Sequence, residues 1–106
     1  MPANLLAPWK EQFTFLQSAE REFLNLPAPV QRAFLEKFPL LARHPWTATP
    51  DLDVQPLREM PGRWRLKVKG GHRGVYRSLQ GRPDFEMFET RDQVYQRLRT
   101  YLYSGD

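Results

Sequence analysis

The heptapeptide Arg63-Trp64-Arg65-Leu66-Lys67-Val68-Lys69 alternates charged and apolar residues without a break. Successive side chains of an extended strand point to opposite faces, so Trp64, Leu66 and Val68 share one face and Arg63, Arg65, Lys67 and Lys69 the other. A helix would scatter both sets around its circumference. The segment therefore reads as a strand with one buried face, and the fold must accommodate a row of cations about 7 Å apart on the other. Such a row is solvated or it meets anions, because like charges at that spacing repel. Two readings stay open on the strand alone. One is a solvated or edge-protecting face; the other is a surface for a polyanion such as the phosphates of a nucleic acid.

The neighbouring segments extend this strand into a sheet. Gly70-Gly71 marks a turn, and residues 72–79 read as a second strand that brings His72 and Arg73 back toward Lys69. Strict alternation puts Arg73 on the face of Val75, and a bulge at Gly70-Gly71 is expected to reconcile the two. Residues 80–84 form a turn and 85–89 a third strand, which makes an antiparallel meander.

Upstream, Phe13 and Phe15 alternate with Gln12 and Thr14, so residues 9–16 read as a strand. Ser18 is placed to cap a helix whose buried stripe is Ala19, Phe23 and Leu26, with Asn25 and Pro27 ending it. A second helix opens near Pro29 and buries Val30, Phe34, Phe38 and Leu41; Pro39 predicts a kink or an end near Phe38. Residues 45–62, punctuated by Pro45, Pro50, Pro56 and Pro61, read as a long connection anchored by Val54 and Leu57. The chain finishes in a helix, where Thr90 and Gln93 have capping-box spacing and Val94, Leu98, Tyr101 and Leu102 form the stripe. Tyr95 lies on this helix between Arg91 and Arg99, one turn away on each side. The expected fold is α+β, one domain over residues 1–106, in the order β-α-α-β-β-β-α, with helices packed on one face of an antiparallel sheet.

Composition narrows the chemistry. Sixteen Lys and Arg against twelve Asp and Glu give a net charge of +4, which favours an anionic partner. There is no cysteine and there are two histidines, so disulfides and thiolate metal sites are excluded and no metal or cofactor is expected. The mean hydropathy of −0.66 and the lack of any long apolar run argue against a membrane protein. The first residues show no basic start followed by an apolar block, so no signal peptide is expected and a cytoplasmic location is.

Residues 56–77 resemble the central block of the RelE/ParE toxin superfamily: a Leu-containing loop, a Trp-Arg-aliphatic-cation-Val strand, a glycine turn and an Arg-aliphatic-Tyr strand. Trp64-Arg65-Leu66-Lys67-Val68 and His72-Arg73-Gly74-Val75-Tyr76 occupy these positions. Arg91, Val94 and Tyr95 resemble the family's Arg-x-x-Val-Tyr at the start of its last helix, and residues 19–34 its paired helices separated by Leu-Pro.

The resemblance implies a toxin of a type II toxin–antitoxin system. In its RelE branch that means an endoribonuclease acting on messenger RNA at the ribosome, restrained by an antitoxin protein. By position the resemblance implies functional roles for Arg65 and Lys67 on the cationic strand, for Arg73 after the turn and for Tyr95. The residue pattern itself adds His72, so that Lys67, Arg73, Tyr95 and His72 are the expected catalytic residues, and adds Arg63, Lys69 and Arg91 to Arg65 as expected RNA-binding cations. Cleavage by the RNA's own 2′-hydroxyl needs a base, an acid and positive charge for the transition state. Crowding among cations lets a lysine act as the base, and histidine is the more ordinary choice, so Lys67 and His72 both remain candidates. Arg73 would stabilise the extra negative charge. Tyr95 would stack on a base or assist proton transfer. The same fold also serves DNA gyrase inhibitors, and a catalytically inactive binding module is a third reading. Two positions depart from the family pattern: Glu89 stands near an expected arginine, and Gly74 replaces an apolar residue.

Overall fold

A computed structural model describes residues 4–90, 92–94, 96 and 97. The chain starts with a 3-10 turn, Ala7–Trp9, and then forms β1 (Thr14–Phe15), α1 (Gln17–Leu24), α2 (Ala28–Arg43), β2 (Asp53–Pro56), β3 (Arg63–Lys67), β4 (His72–Leu79) and β5 (Arg82–Thr90). Residues 92–94, 96 and 97 are helical, as the sequence predicts for this segment. The remainder of the expected last helix, with Arg91, Tyr95, Leu98, Tyr101 and Leu102, lies outside the described residues.

The sheet order is β1-β5-β4-β3-β2. The expected α+β meander is present as β3, β4 and β5, each antiparallel to the next. Two edge strands add to it. β2 pairs antiparallel with β3 and comes from the segment read as a connection, where the prolines hid a four-residue strand. A strand on the sheet edge needs only one row of hydrogen bonds, so proline at its end is tolerated. β1 pairs parallel with β5, so the sheet is mixed rather than wholly antiparallel. The expected anchors of the connection, Val54 and Leu57, are both buried.

Three local expectations shift. The segment read as a strand from residue 9 begins as a 3-10 turn, and only Thr14 and Phe15 pair, because Trp9 turns back to stack on Phe13 at 5.9 Å. α1 opens at Gln17, and no side chain caps it, so Ser18 lies in its first turn. α2 runs through Pro39 to Arg43. Pro39 has no N–H to give the Leu35 carbonyl, and the turns on either side carry the helix past it.

One face of the sheet is covered by both helices. All seven phenylalanines contribute to this core: Phe13, Phe15, Phe23, Phe34, Phe38, Phe85 and Phe88 form a connected set of ring contacts. Fully burying one such ring contributes roughly 1.5–3 kcal/mol. Tyr76 extends the core toward Trp46 and Trp64 and donates a 2.6 Å hydrogen bond to the Pro45 carbonyl.

Gly74 lies beneath the two rings that pack closest to the sheet. A Cβ there would sit 3.0 Å from ring carbons of both Phe85 and Phe88, whose centroids are 4.9 Å apart. A larger residue at this position has no room, because the stacked pair above it fills the space that an apolar side chain would take.

The candidate functional site on the open sheet face

The register assembles the second face of the sheet, opposite the helices. Cross-strand partners share a face, and β3–β4 pairing matches Arg63 with Arg77, Arg65 with Val75 and Lys67 with Arg73. β4–β5 pairing then matches Val75 with Met87 and Arg73 with Glu89. The alternation that puts Arg73 and Val75 together holds. The sequence expects a bulge at Gly70-Gly71, but the irregularity lies between Val75 and Tyr76, where Glu86 is the extra residue on β5. Gly70 and Gly71 instead make the β3–β4 turn at φ of 87° and 79°, a region that glycine enters without strain.

Arg73 and Val75 coexist because this face has a small core of its own. Leu57, Val75, Met87 and Val94 are buried together, with Met60 against them. Val94 belongs to the C-terminal helical residues, so that segment packs on this face. Its start is fixed by Gln93, whose Oε1 accepts hydrogen bonds from Thr90 N and Oγ1 at 3.2 and 3.0 Å, as the capping-box spacing predicts.

The cations around this core fall into two classes. Arg63 gives Glu86 two hydrogen bonds of 2.7 and 3.2 Å. Arg65 is 8% exposed and binds the Asp53 carboxylate at 2.9 Å and the Asp53 carbonyl at 3.2 Å. Arg77 holds Asp84, which also accepts a 2.7 Å bond from Thr14 Oγ1. Arg97 lies 2.5 Å from Glu22 and 3.1 Å from Glu89, and so ties the C-terminal segment to α1 and β5. Burial alone would lower the Arg97 pKa. The hydrogen bond to Glu89 and the charges of Glu22 and Glu89 outweigh it, and the pKa stands above its ordinary value. Lys67 and Lys69 are exposed, and neither takes part in an ion pair among the described residues.

The row of strand cations is therefore only half a solvated row. Its arginines are opposed by carboxylates from β2 and β5, and its lysines are open to solvent. Planar guanidinium groups that form paired hydrogen bonds suit the first role, and compact hydrated ammonium groups the second.

Of the residues singled out in the sequence, Lys67 and Arg73 come together as cross-strand neighbours, and Arg73 is itself buried at 9% exposure. Arg63 and Arg65 lie on the same face with carboxylate partners. Lys69 follows at the strand's end. His72 pairs with Thr90 and, two residues from Gly74, lies on the helix-covered side, away from Arg73. Its Nδ1 is buried with no hydrogen-bond partner among the described residues. Arg91 and Tyr95 lie outside those residues. Sequence reasoning missed the acids Asp53, Asp84 and Glu86 and the bridging Arg97. Asp53 had a signal only if β2 was recognised; Glu86 required the bulge.

No group of His, Asp and Glu among the described residues is arranged to hold a metal ion. No described helix is long and apolar enough to cross a membrane.

No family model matches this chain, and no curated protein sequence does. Solved structures do. The chain is similar to the RelB–RelE antitoxin–toxin complex from Methanococcus jannaschii, with a TM-score of 0.64 and 12% identity over 79% of this chain and 96% of that one. It is similar to the intact Escherichia coli RelBE toxin–antitoxin complex, with a TM-score of 0.62 and 20% identity over 74% and 93%. It is also similar to the RelBE2 toxin–antitoxin complex from Mycobacterium tuberculosis, with a TM-score of 0.57 and 25% identity over 76% and 96%. The fold is that of the RelE-type toxins.

Proposed function

We propose that this protein is the toxin of a type II toxin–antitoxin system, acting in the cytoplasm as a ribosome-dependent endoribonuclease on messenger RNA. The observation that carries the reading is the Lys67–Arg73 pair. A buried arginine and an exposed lysine stand side by side across β3 and β4, on the sheet face opposite α1 and α2, at the margin of the small core that Val94 completes.

In the proposed reaction the 2′-hydroxyl attacks the adjacent phosphorus and the 5′-oxygen leaves. Arg73 faces the phosphate and stabilises its additional negative charge in the transition state. Lys67 is better placed than His72 to receive the 2′-hydroxyl proton, because it shares a face with Arg73. Tyr95, one residue beyond the buried Val94, supplies a stacking surface or the proton for the leaving oxygen. Lys69 and Arg91 hold flanking phosphates. Arg63 and Arg65 act mainly by bringing β2 and β5 into register, adding long-range positive potential. No cofactor or metal is required by this chemistry.

The structural neighbours include toxins in complex with antitoxins. We propose an antitoxin partner here too, whose acidic segment would be steered by the same lysines.

Induced expression in a bacterial host, wild type beside Arg73→Ala, tests the reading by primer extension on an abundant transcript. Growth arrest with discrete cleavages that disappear in Arg73→Ala is expected. Arrest without cleavage would replace the ribonuclease by inhibition of DNA gyrase. One observation favours a second reading, an inactive binding module: Glu89, not an arginine, is the cross-strand partner of Arg73. Absence of both arrest and cleavage would select it.

A further inference from the structure

The exposed lysines of β3 do not end at the open face. A cleft of about 550 Å³ lies where the end of β3 meets the loop before β2 and the middle of α2, and Lys37, Lys67 and Lys69 line it together with Asp51, Leu52 and Asp53. That volume falls within the range of about 300–1,000 Å³ typical of ligand sites.

The charges in the cleft do not cancel. Asp53 is committed to Arg65 at 2.9 Å. None of the three lysines has a carboxylate within ion-pair distance among the described residues. Lys37 is nevertheless positioned: its Nζ donates a 2.7 Å hydrogen bond to the Asp51 carbonyl. An ammonium group has three donors, so two remain for another acceptor. A backbone carbonyl orients the group without neutralising it.

We infer that this cleft is a second phosphate subsite, in which Lys37 binds the backbone of single-stranded RNA one or more nucleotides beyond the Lys67–Arg73 pair. The inference rests on the ribonuclease reading and extends it. Lys67 belongs to both places, since it neighbours Arg73 on the open face and lines the cleft at the sheet edge. A strand leaving Arg73 across Lys67 next meets Lys69, two residues past the end of β3 in the turn to β4, which lines the same cleft. The adjoining depression beyond Lys69, of about 410 Å³, carries Arg32 with Glu36 one turn on, so net positive charge favours the path to Lys37.

The test is the salt dependence of binding, measured with the full chain and a fluorescent 2′-O-methyl RNA oligonucleotide, which keeps every phosphate and lacks the attacking hydroxyl. For single strands the slope of log K against log salt changes by about 0.7 for each phosphate that the protein no longer neutralises. Lys37→Gln is expected to weaken binding at low salt and to lower the slope by about that amount, as Lys67→Gln does. Arg43→Gln removes the same charge from the same helix outside the cleft and is expected to keep the wild-type slope. Thermal melting of all three variants controls for folding.

The subsite is overturned if Lys37→Gln binds like Arg43→Gln while Lys67→Gln is weakened, an outcome that leaves the ribonuclease reading intact. Wild-type protein that binds no RNA would overturn both. If poly-glutamate binds more tightly than RNA, and loses that affinity in Lys37→Gln, the cleft serves an acidic protein segment and the RNA assignment is wrong.

Discussion

Arg73 and Glu89 stand directly opposite each other in the β4–β5 ladder, and Glu89 Oε2 lies 3.1 Å from Arg97. A carboxylate thus occupies the row that also holds Lys67, at the point where a phosphate would approach Arg73. Its negative charge subtracts from the potential there. Replacing it with the isosteric amide should strengthen RNA binding by on the order of 1 kcal/mol, about fivefold, at the effective dielectric of a partly buried site. The stability cost should stay under about 1 kcal/mol, since the Arg97 pair is partly solvated and Glu22 still holds Arg97. Fluorescence anisotropy of Glu89→Gln with labelled RNA checks this. Weaker binding with an unchanged melting temperature would mean that Glu89 organises the site rather than opposing it.

Arg65 and Lys67 are two residues apart on β3 and point the same way, yet they should respond differently to substitution. Arg65 is buried and holds Asp53 across the β2–β3 pair. Arg65→Gln should cost about 1–3 kcal/mol, the range for a charged hydrogen bond removed from a buried site. Lys67 is exposed and holds no carboxylate among the described residues. Lys67→Gln should leave the urea midpoint unchanged within error while lowering RNA affinity. Equal destabilisation by both variants in urea titrations would contradict the division between arginines and lysines.

That division marks the limit of what the sequence shows. The alternation of residues 63–69 reveals the strand, its two faces and the charge on one of them. It does not reveal which cations meet an internal acid, because that depends on partners 10 or more residues away. Asp53 reaches Arg65 only because residues 53–56 form an edge strand inside a proline-punctuated segment. Glu86 reaches Arg63 only because a bulge on β5 adds a residue to the open face. Both are products of long-range pairing, which local periodicity does not encode. The helices were legible because their stripes repeat at helical spacing, and Pro39 misled only about where α2 ends. The place of His72 was obscured by the expected bulge; regular alternation from Gly74 puts it on the other face.

Gly74 permits the close packing of Phe85 and Phe88 on β4, and a methyl group there has no room. Both rings would have to move from 3.0 Å to ordinary contact, against a core in which Phe23 and Phe34 already press on Phe88 from the α1 and α2 side. Overpacking of this kind typically costs about 1–3 kcal/mol. For a domain of this size, each kcal/mol is worth roughly 4–8 °C in Tm. Gly74→Ala should therefore melt several degrees below wild type in a calorimetric scan. An unchanged or raised Tm would show that the stack can slide and that the strand gains more from losing a glycine than the core loses.

Tyr76 gives the fold an alkaline limit. It is fully buried, its hydroxyl bonded to the Pro45 carbonyl, and burial pushes its pKa far above the ordinary value near 10. The positive charge of Arg65 pulls the other way and does not offset this. Because the folded state holds the phenolic proton more tightly than the unfolded chain, the unfolded chain loses it first as pH rises. Unfolding then releases a proton, so stability is unaffected below about pH 9 and falls above pH 10, by up to about 1.4 kcal/mol per pH unit for this one group. Tyr76→Phe should remove that contribution to the alkaline slope. It should also lower stability at neutral pH by about 1 kcal/mol, because the Pro45 carbonyl loses its donor. Guanidinium titrations at pH 7 and pH 10.5 separate the two effects. A Tyr76→Phe protein less stable than wild type at pH 7 but closer to it at pH 10.5 is the expected pattern. A constant difference between the two proteins would mean that another group sets the alkaline limit.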